Sequence, residues 1–166
     1  MDSKTPTVRQ VAWISLIPQL TFMGLLIYSF FLLKSSEPIL HGTLTYLAIS
    51  FGLRTFIPKD HRQGIALVKK QRFSDAISFF QKSYSFFSKN NWIDKYRFLT
   101  LLSSSRMSYR EMALCNIAFC YSQIGDGKTA IEFYTRALKE FPDSGLAQTA
   151  LRMLHSAEGL ERNTPV

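Results

Sequence analysis

The sequence predicts an all-α protein in which a transmembrane helical hairpin is followed by a stack of antiparallel helix pairs. Three observations lead to this prediction. Residues 1–58 carry six charged side chains and two long apolar runs. Residues 59–166 are rich in charge, and their apolar residues recur at the three- and four-residue spacing of amphipathic helices. One residue pattern also occurs twice in this second part, which is typical of repeat architectures.

The first apolar run extends from Trp13 to Leu33, over twenty-one residues without a charged side chain. A bilayer core about 30 Å thick needs about 20 helical residues, so the run is long enough to span. It also exceeds the roughly 7–15 apolar residues of a cleaved signal peptide. We therefore expect an uncleaved transmembrane helix over residues 10–33.

The second apolar run is shorter, from Ile39 to Leu53, and reaches a spanning length if it continues to Pro58. Two topologies stay open: both runs span, or the second lies in the interface or packs against protein. Lys and Arg lie outside both runs, whereas the turn between them is nearly neutral, which favours a hairpin with both ends in the cytoplasm. We expect a second helix over 39–57, a membrane anchor over 1–58, and an integral membrane protein whose soluble domain is cytoplasmic.

The chain is basic, with a formal net charge of +8. Most cations alternate with acids along predicted helices, which argues against a nucleic-acid partner. A cluster close to the second apolar run is explained by attraction to anionic lipid head groups, at about 1 kcal/mol per cation. The expected head-group contacts are Arg54, Lys59, Arg62, Lys69 and Lys70.

Two copies of one residue pattern lie in the second part of the chain. Each copy has a small residue, a large one three positions later, an Ala-Ile pair nine positions after that, and an aromatic residue four positions beyond the Ala. The copies consist of Gly64, Leu67, Ala76, Ile77 and Phe80, and of Ala118, Tyr121, Ala130, Ile131 and Tyr134. This pattern resembles the tetratricopeptide repeat, whose unit of about 34 residues is a pair of antiparallel helices. The resemblance implies a right-handed helical stack over residues 59–157.

The second copy matches the repeat over both of its helices. The matching positions are Leu114, Ile117, Ala118, Tyr121, Ala130, Tyr134, Ala137 and Pro142. The first copy departs from the repeat, because the polar residues Asp60 and Gln63 replace large ones and Ser83 replaces a later Ala.

The copies are 54 residues apart, so about twenty residues are inserted into the repeat. Within this insert Trp92, Tyr96 and Leu99 recur at helical spacing. We therefore expect an inserted helix over roughly 92–102.

Signals for helix ends complete the predicted domain. A capping box over residues 108–111 is expected to begin the next helix. Asp143 and Ser144 are expected to begin a terminal capping helix over about 145–155. A frayed tail is expected over 158–166.

Motifs of catalysis are not found in this sequence. The glycines near Lys128 do not form a phosphate-binding loop, and the three histidines lie in separate segments. Cys115 and Cys120 are five residues apart, which is not a metal-ligand spacing, and are expected to be buried free thiols. We therefore expect neither a cofactor nor enzymatic activity.

The resemblance implies that a partner protein or peptide binds along the surface lined by the first helix of each repeat. In the second copy this candidate groove consists of Met112, Cys115, Asn116, Phe119 and Gln123. A subfamily that clamps C-terminal carboxylates also has Asn at the place of Asn116, but His61 and Ile65 replace its Lys and Asn. The function expected is that of a membrane-anchored scaffold for protein–protein interaction. The alternative is a structural subunit of a larger integral membrane complex.

Overall fold

The computed structural model describes residues 13–162, and every regular element in that range is helical, which confirms the all-α class. A 3-10 turn over Trp13–Ser15 precedes nine α-helices. These are α1 (Leu16–Leu32), α2 (Pro38–Phe56), α3 (Lys59–Lys69), α4 (Phe73–Lys89), α5 (Asn91–Lys95), α6 (Arg97–Thr100), α7 (Tyr109–Gln123), α8 (Gly127–Glu140) and α9 (Gly145–Arg162).

The chain divides into two compact units. The first contains the α1–α2 hairpin together with Asn90–Ser108, the segment inserted between the two repeat copies. The second contains the helix pair α3 and α4, the helix pair α7 and α8, and the terminal helix α9. The insert therefore belongs to the same unit as the hairpin, although thirty residues of the second unit separate them in sequence.

Helices α1 and α2 run antiparallel and pack along their length. Phe30 lies near His41 at the turn, with ring centroids 5.8 Å apart, and Phe22 lies near Tyr46 further along, at 6.2 Å. Between these pairs Gly42 lies against Ile27, and a Cβ atom on Gly42 would be 2.6 Å from the Ile27 Cα. The helices approach this closely because position 42 has no side chain.

The predicted transmembrane hairpin is wrong. Among the described residues, no helix combines the length and the apolar character that crossing a membrane requires. Helix α1 has 17 residues, which cover about 26 Å at 1.5 Å per residue, less than a bilayer core of about 30 Å. Helix α2 has 19 residues, but polar and small residues such as His41, Gly42 and Arg54 dilute its apolar character. The predictions of an integral membrane protein and of a membrane anchor, which depend on that hairpin, are therefore wrong as well.

The predicted inserted helix is instead two short helices, α5 and α6, which are separated at Tyr96. Two arginines satisfy the backbone carbonyls that this irregular path leaves unpaired. Arg97 donates to the carbonyls of Asp94 and Ser105, both at 3.0 Å, and to that of Arg106. Arg54 of α2 donates to the carbonyl oxygens of Leu101, at 3.4 Å, and Leu102.

Helix α7 is the centre of the second unit, because α4 packs on one side of it and α8 on another. Alanines without exposed surface lie at these contacts, and they allow the helices to approach closely. They are Ala76 on α4, Ala113 and Ala118 on α7, and Ala130 and Ala137 on α8. Phe80 fills the space between α3 and α4, where its ring lies against Gly64.

The ends of the helices in the second repeat copy have clear causes. Gly125, with φ of 85°, takes the left-handed conformation that ends α7, and the N–H of Asp126 donates to the Tyr121 carbonyl at 3.0 Å. The Asp126 carboxylate then accepts from the N–H of Thr129 at 3.0 Å and caps α8. Ser144 precedes α9, which continues to Arg162, beyond the expected end near residue 155.

A polar network on Glu140 joins three helices of the second unit. The carboxylate accepts from the Tyr84 hydroxyl of α4 at 2.7 Å, from Arg110 of α7 at 2.6 Å and from Arg136 of α8 at 3.2 Å. Burial alone would raise the pKa of Glu140, but these hydrogen bonds outweigh it, so the pKa lies below its ordinary value.

We expect Glu140→Ala to lower the free energy of unfolding by about 2 kcal/mol, since hydrogen bonds to a charged group contribute roughly 1.5–3 kcal/mol. Glu132→Ala is the matched control, because Glu132 is an exposed residue of the same helix. Urea unfolding of both variants provides the measurement. An equal loss in the two variants would show that the network does not hold the helices together.

The turn between α3 and α4 offers a second test of stability. Gln71 has φ of 59°, a left-handed conformation that costs a residue with a side chain about 1–2 kcal/mol. We expect Gln71→Gly to raise the free energy of unfolding by about 0.5–1 kcal/mol, after the entropy gained by the unfolded chain is subtracted. In thermal unfolding, the control Gln81→Gly, at an exposed position inside α4, should instead destabilise by about 1 kcal/mol.

Candidate functional site

A stripe of four side chains that are not fully buried runs along one side of α7. Met112, Asn116, Phe119 and Gln123 follow one another at intervals of four, three and four residues, so they share a helical face. The first three are half-buried and Gln123 is exposed. Six of the residues between them are buried: Ala113, Leu114, Cys115, Ile117, Ala118 and Cys120.

Cys115, the remaining member of the predicted groove, lies in the core. Its side chain is 3% exposed, and burial, assisted by the charge of Glu111, raises the pKa of the thiol to about 12 despite a hydrogen bond with Ser144. The thiol is therefore protonated at neutral pH and contributes no reactive group. The open stripe consists of the other four residues.

Phe119 is the largest side chain of the stripe and makes one defined ring contact. Its ring meets that of Phe73, the first residue of α4, edge to face, with centroids 6.0 Å apart and an interplanar angle of 81°. Aromatic pairs of this geometry contribute about 0.5–1.5 kcal/mol beyond their buried area. Phe119 thus packs against α4 on one side and keeps part of its surface open, and Phe73 is an edge of the site that the sequence prediction did not include.

His61 does not offer a cation to a bound carboxylate, because it is a core residue of α3. Its ring packs edge to face against Phe80 and Tyr109, at 5.4 and 5.3 Å, and its Nδ1 lies 3.4 Å from the Ser83 hydroxyl. Burial lowers the pKa of His61 to about 4. The imidazole is therefore neutral near pH 7.

The predicted head-group contacts are all exposed side chains. Arg54 is engaged with the carbonyl oxygens of Leu101 and Leu102. That role could not be seen from the sequence, since the partners are 47 and 48 residues away. The other four cations are exposed side chains on α3 or directly after it: Lys59, Arg62, Lys69 and Lys70.

Two further sources of evidence on function are a metal site and similar proteins of known function. Within residues 13–162, no group of three His, Cys, Asp or Glu side chains is placed to hold a metal ion. The chain matches no protein-family model, no curated protein and no solved structure. The function of the chain is therefore inferred from the geometry of the second unit and from the residues that resemble the repeat.

The burial of His61 predicts a pH dependence of stability. The pKa is about 4 in the folded protein, against 6.5 in the unfolded chain, so the unfolded chain binds more protons between these values. The free energy of unfolding should fall as the pH drops from 6.5 to 4, by roughly 3 kcal/mol in total. Urea unfolding of the wild type and of His61→Gln across this range measures the effect. The two should show parallel pH profiles only if His61 does not titrate on unfolding.

Proposed function

We propose that the second unit is a protein-interaction module of the tetratricopeptide type, which binds an extended segment of a partner protein along the α7 stripe. The proposal depends on one observation, the difference in burial among the residues of α7. Six of its residues are buried, while the four-residue stripe stays open on a helix whose other sides pack against α4 and α8.

The side chains of the stripe suit a peptide ligand. Met112 and Phe119 offer an adaptable thioether and a flat ring, which can hold an apolar side chain of the partner. Asn116 and Gln123 each carry both a donor and an acceptor, which can pair with the N–H and C=O groups of an extended backbone.

The same chemistry favours binding over catalysis. Thioether, ring and amide groups neither attack a substrate nor transfer protons readily. The nearest thiol, Cys115, is buried and protonated near pH 7. We therefore propose that the module holds partners together as a scaffold and does not act as an enzyme.

Replacement of Phe119 tests this proposal. A photoreactive amino acid at the exposed position 123 first identifies the partner, and the affinity of that partner is then measured for variants. We expect Phe119→Ala to weaken binding roughly 30-fold, about 2 kcal/mol, the cost of removing a central aromatic anchor. Because Phe119 also contacts Phe73, this variant should lose some thermal stability as well.

Asn116→Ala separates binding from packing, since it leaves the Phe73–Phe119 ring contact in place. It should weaken partner binding with little change in melting temperature. The photoreactive residue at position 81, exposed on α4, is the control and should not label the same partner. Unchanged affinity in both Phe119→Ala and Asn116→Ala would refute the proposal.

A further inference from the structure

The open stripe of α7 has a counterpart on α3, because the two repeat copies are related by a shift of 54 residues. The same shift, applied to the last three residues of the α7 stripe, leads to Arg62, Ile65 and Lys69. Ile65 is half-buried against the core, and the two cations are exposed. Residues at intervals of three and four share one face of a helix, so these three form a second stripe, the α3 stripe.

Helices α3 and α7 are parallel neighbours. The His61 ring of α3 meets the Tyr109 ring at the start of α7, with centroids 5.3 Å apart. Further along, Phe73 follows the end of α3 by four residues and meets Phe119 in the second half of α7. The two helices therefore run in the same direction. Helix α4 packs against both of them.

Both stripes face away from α4, on the same side of the second unit. On α3 the direction of α4 is marked by His61 and Gly64, which lie against Phe80. The α3 stripe is displaced from that direction by about 100° around the helix axis. On α7 the direction of α4 is marked by Ile117 and Cys120, and the α7 stripe is displaced from it by about 100° in the opposite sense. Because the two helices are parallel, displacements of opposite sense turn the stripes towards each other.

The joint surface of the two stripes carries positive charge and no negative charge. Its members are Arg62, Ile65, Lys69, Met112, Asn116, Phe119 and Gln123. Neither Arg62 nor Lys69 forms an ion pair with another described residue. The acids of the same two helices point elsewhere: Asp60 lies on the opposite side of α3, and Glu111 is about 110° from the α7 stripe, towards Cys115.

Charge and spacing together indicate the kind of ligand that fits this surface. Seven residues of helix separate Arg62 from Lys69, which is about 10 Å along the axis. An extended chain covers that distance in about three residues, so two acidic side chains three positions apart can meet both cations. Ile65 and Phe119 lie between the cations along the axis, where they can hold an apolar side chain of the ligand.

The arrangement of the cations favours a peptide over a nucleic acid. A nucleic acid presents a phosphate at every nucleotide, and a protein that binds it lines its groove with a continuous row of cations. On this surface amide and apolar side chains separate the two cations.

We infer that the partner segment of the proposed module is acidic: an extended stretch with two Asp or Glu residues three positions apart and an apolar residue between them, which lies between the α3 and α7 stripes. This inference rests on the proposed function, since it names the chemical class of the segment that the α7 stripe binds. Arg62 and Lys69 pair with its carboxylates, and Phe119 packs against its apolar side chain.

Selection from a random peptide library displayed on phage, with the full chain as bait, tests the inference. Peptides that also bind the Phe119→Ala variant are removed first, so those retained depend on the α7 stripe. Asn116→Ala serves in its place if Phe119→Ala does not accumulate. We expect the retained peptides to carry a negative net charge and to be enriched in acidic pairs three positions apart. The double variant Arg62→Glu, Lys69→Glu should instead select basic peptides.

The affinity of the most enriched peptide, made synthetically with a fluorescein label, is then measured by fluorescence anisotropy. The Arg62→Glu, Lys69→Glu variant should bind it at least about tenfold more weakly, since two attractions become repulsions, and added salt should reduce this difference. The control is Lys82→Glu, Lys89→Glu, which makes the same change of charge at the same spacing on exposed positions of α4. It should change the affinity by less than about twofold.

Three results would overturn the inference, and they differ in what they leave standing. Neutral or basic peptides that depend on the α7 stripe, or equal losses of affinity in the two double variants, would refute an acidic partner but not the interaction module. If no peptide distinguishes the wild type from Phe119→Ala and Asn116→Ala, the module and the inference both fail. Tighter binding of oligothymidylate or of phosphatidylserine vesicles than of the peptide, lost in Arg62→Glu, Lys69→Glu, would assign the cations to that ligand instead.

Discussion

The second unit depends on the close approach of α7 to the helices on both sides of it. Ala118 of α7, Ala76 of α4 and Ala130 of α8 have no exposed surface. A larger residue at any of them would push two helix axes apart, because the interaxial distance of 8–10 Å is set by the side chains at the contact. The open stripe on α7 follows from this constraint. Two sides of the helix are occupied by neighbours, so what remains is a narrow face with fixed spacing.

The second repeat copy was readable from sequence because its determinants are local. Gly125, Asp126 and Ser144 set the helix ends through contacts within a few residues, and small residues at regular spacing revealed where helices meet. The environments of Cys115 and His61 were not readable in this way. His61 is surrounded by Phe80, Ser83 and Tyr109, up to 48 residues away, and Cys115 is adjacent in sequence to Asn116 but faces the core. The burial of Cys115 was expected from its residue type, whereas that of His61 was not.

The hairpin shows a different limit of sequence interpretation. The uninterrupted apolar run from 13 to 33 predicts one helix. In the structure the α-helix covers only part of that run. The 3-10 turn over Trp13–Ser15 and the left-handed Lys34, with φ of 51°, confine α1 to 17 residues. The position of the insert was also hidden, since Arg54 fixes it through carbonyl oxygens of residues far away in sequence. The sequence does not reveal such hydrogen bonds, because every residue type has a backbone carbonyl that can accept one.

The two units differ in which side chains they bury. In the second unit large residues such as Phe80 and Leu114 are inside, and the unit's own helices cover them. In the first unit the insert buries Leu101 and Leu102, but the hairpin buries Gln19 and Ser50 while many of its leucines and phenylalanines are exposed. The hydrophobic stabilisation of the second unit thus comes from its own helices, whereas the exposed apolar side chains of the hairpin contribute little. A surface that covered the hairpin would bind the folded form and add stability that grows with the logarithm of its concentration.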